Sequence, residues 1–361
     1  MSRNNTSVLP VMTNLELEIS NPCNERCVHC YRTCSNTAKG FLSAAQAESI
    51  AEQVMPLMQE NHREVLITGG ESMLNPEWKE IVKCFIEKGF RVSLFTNGTL
   101  LDERSADFLS QFNRKQLKEV QFSLYAIDEK IHDSVTRLKG SFQKTMKAIK
   151  LLRERKVPVF IACPAMQENK KAFPDLMRWA DKNGIPSCVD LYIFGSSDYT
   201  GSNLSQRLSF TDLEDFFKIS LENDGELSYI WGNKKDVDLT ERFYRSASSL
   251  LCISGDGTIY PMIGWYTPLG SIHTDRIKDI FFNSPFLQKI RTISIADIPE
   301  CRTCEAVNYC FFCPSPHITA NNGELYKLDK YFCNFIKLKK NFVKRRDDFL
   351  KKVKPYEKRN I

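Results

Sequence analysis

Short apolar segments alternate with longer amphipathic segments from residue 14 to about residue 195. This alternation, with a repeat of roughly 30 residues, predicts parallel strands joined by right-handed crossovers. Six such units predict an α/β fold, a partial (β/α)6 barrel that is two units short of a complete TIM-like barrel. The predicted strands are 15–20, 64–70, 91–98, 119–126, 157–164 and 188–195, and the predicted helices are 43–60, 77–89, 103–112, 142–156 and 172–184.

The rest of the chain differs in composition from the predicted barrel. A segment rich in Cys, Gly and Pro follows it, which we interpret as a smaller α+β domain. From Lys337 onward the chain carries eleven Lys and Arg against three Asp and Glu, and its apolar spacing predicts a basic amphipathic helix. The predicted organisation is an N-terminal arm (1–13), the barrel (14–197), bridging helices and a loop (198–246), the Cys-rich domain (247–335) and a basic C-terminal helix (336–361).

Composition argues against several classes of protein. No apolar run is long enough to span a membrane, and the first residues lack the apolar segment of a secretory signal. We therefore expect a cytoplasmic protein with no membrane partner. In that reducing compartment, thirteen cysteines favour metal ligation over disulfides. The net charge of +6 is concentrated in the basic tail, so a nucleic-acid partner is not expected.

Three regularly spaced cysteines, Cys23, Cys27 and Cys30, follow the first predicted strand. Three thiolates leave one iron of a four-iron cluster without a protein ligand, as catalytic zinc sites keep one position open. A zinc site with His29 as fourth ligand is the alternative, and we interpret Cys34 as a bystander. Ligands in parallel α/β folds bind beyond the carboxyl ends of the strands. Further candidates there are Gly69, Gly70, Glu71, Asn97 and Ser123.

The spacing of these cysteines, with the aromatic His29 before the last one, resembles the signature of the radical S-adenosylmethionine (SAM) superfamily. "ITGGES" resembles the GGE motif of that family, and "FSLYAIDEKIHDSVTRLKGSF" resembles its fourth strand and following loop. The resemblance implies a 4Fe–4S cluster and reductive cleavage of SAM to a 5′-deoxyadenosyl radical that abstracts hydrogen. It also implies the SAM contacts: Glu71 for the methionyl ammonium, Ser123 and Arg137 for the carboxylate and ribose side, and Gly69, Gly70, Asn97 and His29 around them.

A second group of cysteines resembles the SPASM extension of radical SAM enzymes that modify peptides. Cys252 matches the leading cysteine of that pattern, but Met262 stands at the next ligand position. A thioether is a poor ligand for an iron–sulfur cluster. We therefore predict one auxiliary 4Fe–4S cluster and leave a second one open, with structural zinc as the alternative. The predicted ligands are Cys301, Cys304, Cys310 and Cys333, and Cys313 stays undecided.

The missing ligand leaves Cys252 as a free thiol with two interpretations. It is either a hydrogen-atom donor to a substrate radical, which would make the protein an epimerase, or a buried remnant of a lost site. The resemblance implies a peptide substrate and an electron donor such as flavodoxin or ferredoxin, and leaves oxidation, crosslinking and epimerisation open. The alternatives are a small amino-acid-like or sugar-like substrate, or a non-catalytic electron-transfer protein.

Overall fold

The structure is a computed structural model that describes residues 10–32, 39–222 and 233–352. The first six strands follow one another in chain order across the sheet, and every neighbouring pair among them is parallel. This arrangement confirms the predicted partial (β/α)6 barrel. The strands are β1 (Asn14–Ser20), β2 (Glu64–Gly69), β3 (Arg91–Thr96), β4 (Leu117–Ser123), β5 (Val159–Pro164) and β6 (Ser187–Asp190).

In the described part of the barrel, six helices lie between or beside these strands, and one of them was not predicted. That helix, α4, occupies the expected loop after β4, where the Asp128 side chain caps its N-terminus. The first helix is shorter than predicted because Pro56 interrupts it, and the chain continues as a 3-10 turn. The helices are α1 (Ala44–Val54), α2 (Trp78–Glu87), α3 (Glu103–Leu109), α4 (Glu129–Thr136), α5 (Ser141–Glu154) and α6 (Phe173–Lys182).

The barrel sheet continues into the Cys-rich segment. Three further strands are β7 (Leu250–Ile253), β8 (Thr258–Tyr260) and β9 (Gly270–Ser271). Strand β7 pairs in parallel with β1, β8 pairs antiparallel with β7, and β9 pairs antiparallel with β8. The sheet of the described residues thus has nine strands. The predicted domain boundary near residue 247 stays a prediction, with a sheet that is continuous across it. The remaining helices are α7 (Phe210–Glu222), α8 (Ile277–Asn283), α9 (Pro285–Thr292), α10 (Pro299–Arg302), α11 (Pro314–Ala320) and α12 (Lys330–Lys352).

The C-terminal helix α12 begins at Lys330, before the predicted start at residue 336, and therefore includes Cys333. The predicted residues 353–361 of this helix, and residues 1–9 of the predicted arm, lie outside the described part of the chain. Among the described residues, no helix combines the length and the apolar character needed to cross a membrane.

The two faces of β1 separate the hydrophobic core from a polar barrel interior. Leu15, Leu17 and Ile19 are fully buried in the main hydrophobic cluster. Glu16 and Glu18 alternate with them and point to the opposite face, as successive residues of a strand do. The interior of the barrel is therefore lined along β1 by two carboxyl groups.

Candidate active site

Two glycines at the end of β2 hold the start of the three-cysteine loop against the sheet. The Gly70 N–H donates to the Ser20 carbonyl at 2.6 Å, and the Glu71 N–H donates to the Pro22 carbonyl at 2.9 Å. A Cβ atom on Gly70 would lie 2.3 Å from the Pro22 carbonyl oxygen, and one on Gly69 would lie 2.4 Å from that of Ser20. Only glycine permits so close an approach of two backbones.

The end of α4 holds the other side of the loop. The Arg26 N–H donates to the Thr136 carbonyl at 3.0 Å, and the Val28 N–H donates to the Val135 carbonyl at 2.9 Å. Arg137 follows in the left-handed conformation, with φ 55°, and is exposed. The helix that the sequence did not predict thus brings Arg137 beside the cysteine loop.

The three thiols of the loop are buried or half-buried and lie within one another's electric field. Burial raises the pKa of Cys23 to about 12, and the Glu25 N–H opposes this rise by donating to Cys23 Sγ at 3.4 Å, while Glu71 adds to it. Burial also raises the pKa of Cys27 well above its usual value, with Glu25 and the thiols of Cys30 and Cys23 adding to the rise. Thiolates at these positions require a nearby cation, which the irons of a cluster supply.

Two side chains that sequence reasoning missed lie beside Cys27. Glu25 is 3% exposed, and its Oε2 accepts from the Cys27 thiol at 3.3 Å, while its Oε1 has no hydrogen-bond partner in the described residues. The Tyr125 hydroxyl donates to Cys27 Sγ at 3.7 Å. Burial raises the pKa of Glu25 to about 8. A charged residue inside the cysteine motif was a visible signal for Glu25, whereas nothing in the sequence marked Tyr125.

Glu71 joins the ends of β2 and β3 to the cysteine loop. Its carboxyl oxygens accept from the Asn97 N–H and the Thr96 hydroxyl, both at 2.7 Å, and from the Met73 N–H at 3.0 Å. The Asn97 side chain in turn donates to the Asn24 Oδ1 at 2.8 Å. Burial raises the pKa of Glu71, and these three donors oppose the rise. The network fixes the carboxyl group next to the thiols.

His29 and Ser123 present polar groups near the same edge of the sheet. The His29 ring packs edge-on against Tyr125 with centroids 5.0 Å apart, and its buried Nδ1 has no partner among the described residues. Burial lowers the pKa of His29 to about 4, so the ring is neutral near pH 7. Ser123 is half-buried at the carboxyl end of β4. Buried polar atoms without partners are groups that a ligand can complete.

These residues fit the cofactors that the resemblance implies. Three neighbouring thiols offer three of the four ligands of a 4Fe–4S cluster, and the partnerless atoms of Glu25 and His29 flank them. Within the described ranges, no three His, Cys, Asp or Glu side chains converge as ligands of a single metal ion do. The zinc alternatives stay untested. Cys34, the predicted bystander, lies outside the described residues.

The four cysteines predicted as auxiliary ligands come together from α10, the turns after it and α12. Burial raises the pKa of Cys301 to about 12, and Cys310, Cys333 and Cys304 each add to the rise, so the four thiols are neighbours. Burial raises the pKa of Cys310 to about 11, opposed by the Phe312 N–H, which donates to Cys310 Sγ at 3.4 Å. Hydrogen bonds to sulfur accompany cluster ligation, and a closed site of four thiolates here stays a prediction.

Cys313 lies beside Ser315 and Tyr192. Burial raises its pKa, and hydrogen bonds with Ser315 and Tyr192 oppose the rise. Met262, at the position of a missing ligand, is half-buried and packs against the main hydrophobic core. Tyr192 lies near both Cys313 and Cys310, so the role of Cys313 stays undecided.

Cys252 lies on the polar interior face of the barrel. It is fully buried and stands opposite Glu16 where β7 pairs with β1. Its thiol lies near Glu18, and burial raises the pKa of both groups. Glu18 also forms an ion pair with Arg32 at 3.1 Å and accepts from the Tyr266 hydroxyl at 2.9 Å. Cys252 thus belongs to a cluster of acidic, basic and phenolic side chains.

Residues 17–180 match the radical SAM superfamily. The antilisterial bacteriocin subtilosin biosynthesis protein AlbA of Bacillus subtilis (strain 168) is 32% identical over 167 residues, which are 46% of this chain and 36% of AlbA. The sporulation killing factor maturation protein SkfB of the same strain is 26% identical over 297 residues, 78% of this chain and 67% of SkfB. The matches thus span about a third of AlbA and about two thirds of SkfB.

Solved structures share the fold over most of the chain. SuiB of Streptococcus suis, in its crystal structure bound to S-adenosylmethionine, matches with a TM-score of 0.69 and 17% sequence identity. The similarity covers 90% of this chain and 78% of SuiB. At this level of identity the likeness concerns the fold.

Proposed function

We propose that the protein is a radical SAM enzyme that cleaves SAM reductively and removes a hydrogen atom from a carbon of a peptide. The observation that carries this proposal is the loop of three neighbouring thiols beside Glu71 at the carboxyl ends of the strands. Cys23, Cys27 and Cys30 would hold the cluster. When bound there, a 4Fe–4S cluster and SAM together supply a carbon-centred radical able to attack an unactivated C–H bond.

The surrounding residues would orient SAM and exclude water. Glu71, buried and fixed by three hydrogen-bond donors, would bind the methionyl ammonium. His29 offers its partnerless Nδ1, and Ser123 and Arg137 would bind the carboxylate and ribose side. Gly69 and Gly70 keep the loop close enough to the sheet for these groups to act on one molecule.

A peptide substrate is supported by the relatives. AlbA and SkfB are named for the biosynthesis or maturation of a bacteriocin and a killing factor, and SuiB has also been solved bound to the precursor peptide SuiA. The electron needed for each cleavage would come from a low-potential carrier such as flavodoxin or ferredoxin. A reducing, cytoplasmic location suits both the carrier and the many free thiols.

Anaerobic reconstitution tests the proposed activity. The full chain, loaded with iron and sulfide and given dithionite and SAM, should release 5′-deoxyadenosine that chromatography detects. Cys27→Ala should abolish the release, whereas Cys84→Ala, on α2 and outside both cysteine groups, should leave it unchanged. Absence of 5′-deoxyadenosine from the fully loaded protein would point instead to a non-catalytic iron–sulfur protein.

We further propose that Cys252 donates a hydrogen atom to the substrate radical. The S–H bond would break and a substrate C–H bond would form, leaving a thiyl radical that one electron from the low-potential carrier and one proton restore to the thiol. Support comes from its place on the interior face beside Glu18. In deuterated water, the unaltered protein should place a deuterium in a peptide whose composition is otherwise unchanged. Cys252→Ala should still release 5′-deoxyadenosine but should lose this deuterium incorporation. Unaltered incorporation would exclude this role.

A further inference from the structure

One lysine of helix α12 lies buried beside the C-terminal cysteines. Lys339 is 7% exposed, although lysine side chains are seldom fully buried without a partner. Among the described residues, no carboxylate lies within ion-pair distance of its ammonium group. Its Nζ lies instead over the Phe311 ring, 5.2 Å from the centroid. The question is what compensates the charge at this position.

Lys339 and the thiol of Cys310 line one cavity of about 320 Å³ between the end of β6 and α12, together with Asp190 and Lys235. The Phe311 ring that Lys339 contacts belongs to the residue next to Cys310. The cation therefore lies close to a member of the four-cysteine group.

The neighbouring residue in the chain provides a contrast. Lys340 is equally buried, at 7% exposed, but its ammonium pairs with the Glu305 carboxylate at 2.6 Å. Two adjacent lysines of one helix thus have opposite arrangements: the charge of Lys340 is neutralised by a carboxylate, and that of Lys339 is not. A structural role common to both lysines does not account for this difference.

A 4Fe–4S cluster with four thiolate ligands is an anion, and its reduction by one electron adds a negative charge. A cation close to a ligand sulfur stabilises the reduced form more than the oxidised form. The effect is strong in a buried site, because little water screens the charge. An unpaired lysine against Cys310 therefore favours reduction of a cluster bound there.

We propose that Lys339 is the positioning residue that compensates the charge of the C-terminal cluster and raises its reduction potential. This inference rests on the proposed cluster at Cys301, Cys304, Cys310 and Cys333. According to this inference, the charge of a single lysine makes it easier for that cluster to take up an electron from the low-potential carrier.

The test is a redox titration of the C-terminal cluster alone. The full chain with Cys23, Cys27 and Cys30 changed to alanine is reconstituted and titrated with dithionite, and the reduced cluster is followed by electron paramagnetic resonance. At the midpoint potential of this background, Lys339→Met should lower the ratio of reduced to oxidised cluster about tenfold. Lys339→Arg, which keeps the charge, and Lys340→Met, the matched control, should each stay within about twofold of the background.

Iron and sulfide analysis accompanies each titration and separates the outcomes. An unchanged ratio in a Lys339→Met protein that binds its full iron overturns the inference and leaves the cluster intact. An equal fall in Lys340→Met overturns it as well, because any nearby charge would then suffice. If the Lys339→Met protein does not assemble the cluster, the ratio of reduced to oxidised cluster is measured in Lys339→Gln instead. An unchanged ratio in that variant overturns the inference. A background that binds no iron removes both the proposed cluster and the inference.

Discussion

The two cysteine groups differ in how the chain builds them. The N-terminal group lies on one loop, pressed against backbone carbonyls by Gly69 and Gly70. The C-terminal group is collected from α10, the turns that follow it and α12. A loop held on both sides can present three thiols and keep one side free, whereas ligands gathered from separate elements can surround a cluster.

The charges around the two groups also differ. Burial raises the pKa of the N-terminal thiols, and the carboxyl groups of Glu25 and Glu71 add to the rise. Near the C-terminal group both signs of charge are present, with Lys339 near Cys310, and with Asp329 and Lys337 near Cys333. A carboxylate suits a cationic cosubstrate such as SAM, and a lysine suits an anionic cluster. The difference fits the proposed open, substrate-binding site and the proposed closed, electron-storing site.

Removing one ligand from each group tests this difference most directly. Cys27→Ala should lose the N-terminal cluster and all 5′-deoxyadenosine formation, because the remaining two thiols cannot hold it. Cys304→Ala should lose the C-terminal cluster but still cleave SAM, because the open site is intact. Iron analysis and chromatography after anaerobic reconstitution measure both properties. Loss of SAM cleavage in both variants, with normal folding by circular dichroism, would show that the two groups are not independent.

A methyl group on Gly70 should damage only the N-terminal site. Its Cβ would lie 2.3 Å from the Pro22 carbonyl oxygen, so the loop must move, at a cost of roughly 2–4 kcal/mol. Urea unfolding of the cluster-free chain should show this loss, and reconstituted Gly70→Ala should keep the C-terminal iron. Gly184→Ala is the comparison without a clash: apart from its chain neighbours, no atom of the described residues lies within 4 Å of its added Cβ, and its cost comes from backbone strain at φ +62°. Equal losses in the two variants would contradict the proposed contact.

The sequence predicted those features that depend on local pattern. Six strands and most of the barrel helices followed from periodicity, and the group of Cys301, Cys304, Cys310 and Cys333 followed from spacing and resemblance. Pairing of β7 with β1 joins distant segments, and no local pattern encodes it. The contact of Glu18 with Cys252 and the burial of Lys339 depend on that tertiary placement, so they became visible only in the structure.

Two buried histidines, one in each region, allow a finer comparison. His132 on α4 and His317 on α11 each accept a backbone N–H at Nδ1, from Tyr125 at 3.4 Å and from Asp329 at 3.0 Å. Burial lowers the pKa of each to about 4 from an ordinary value of 6.5. The unfolded chain therefore binds protons first as the pH falls. The contribution of each histidine to stability is therefore complete above pH 6.5 and is lost between pH 6.5 and 4, by about 3 kcal/mol.

Asparagine at either position keeps an acceptor near the place of Nδ1 but cannot take up a proton in this range. His132→Asn and His317→Asn should therefore each flatten the fall in unfolding free energy between pH 6.5 and 4, measured by urea unfolding of the cluster-free chain. Because one sheet joins the two regions, both variants should flatten the same single transition by similar amounts. A change confined to one of two separate transitions would show that the barrel and the Cys-rich segment unfold independently, despite their shared sheet.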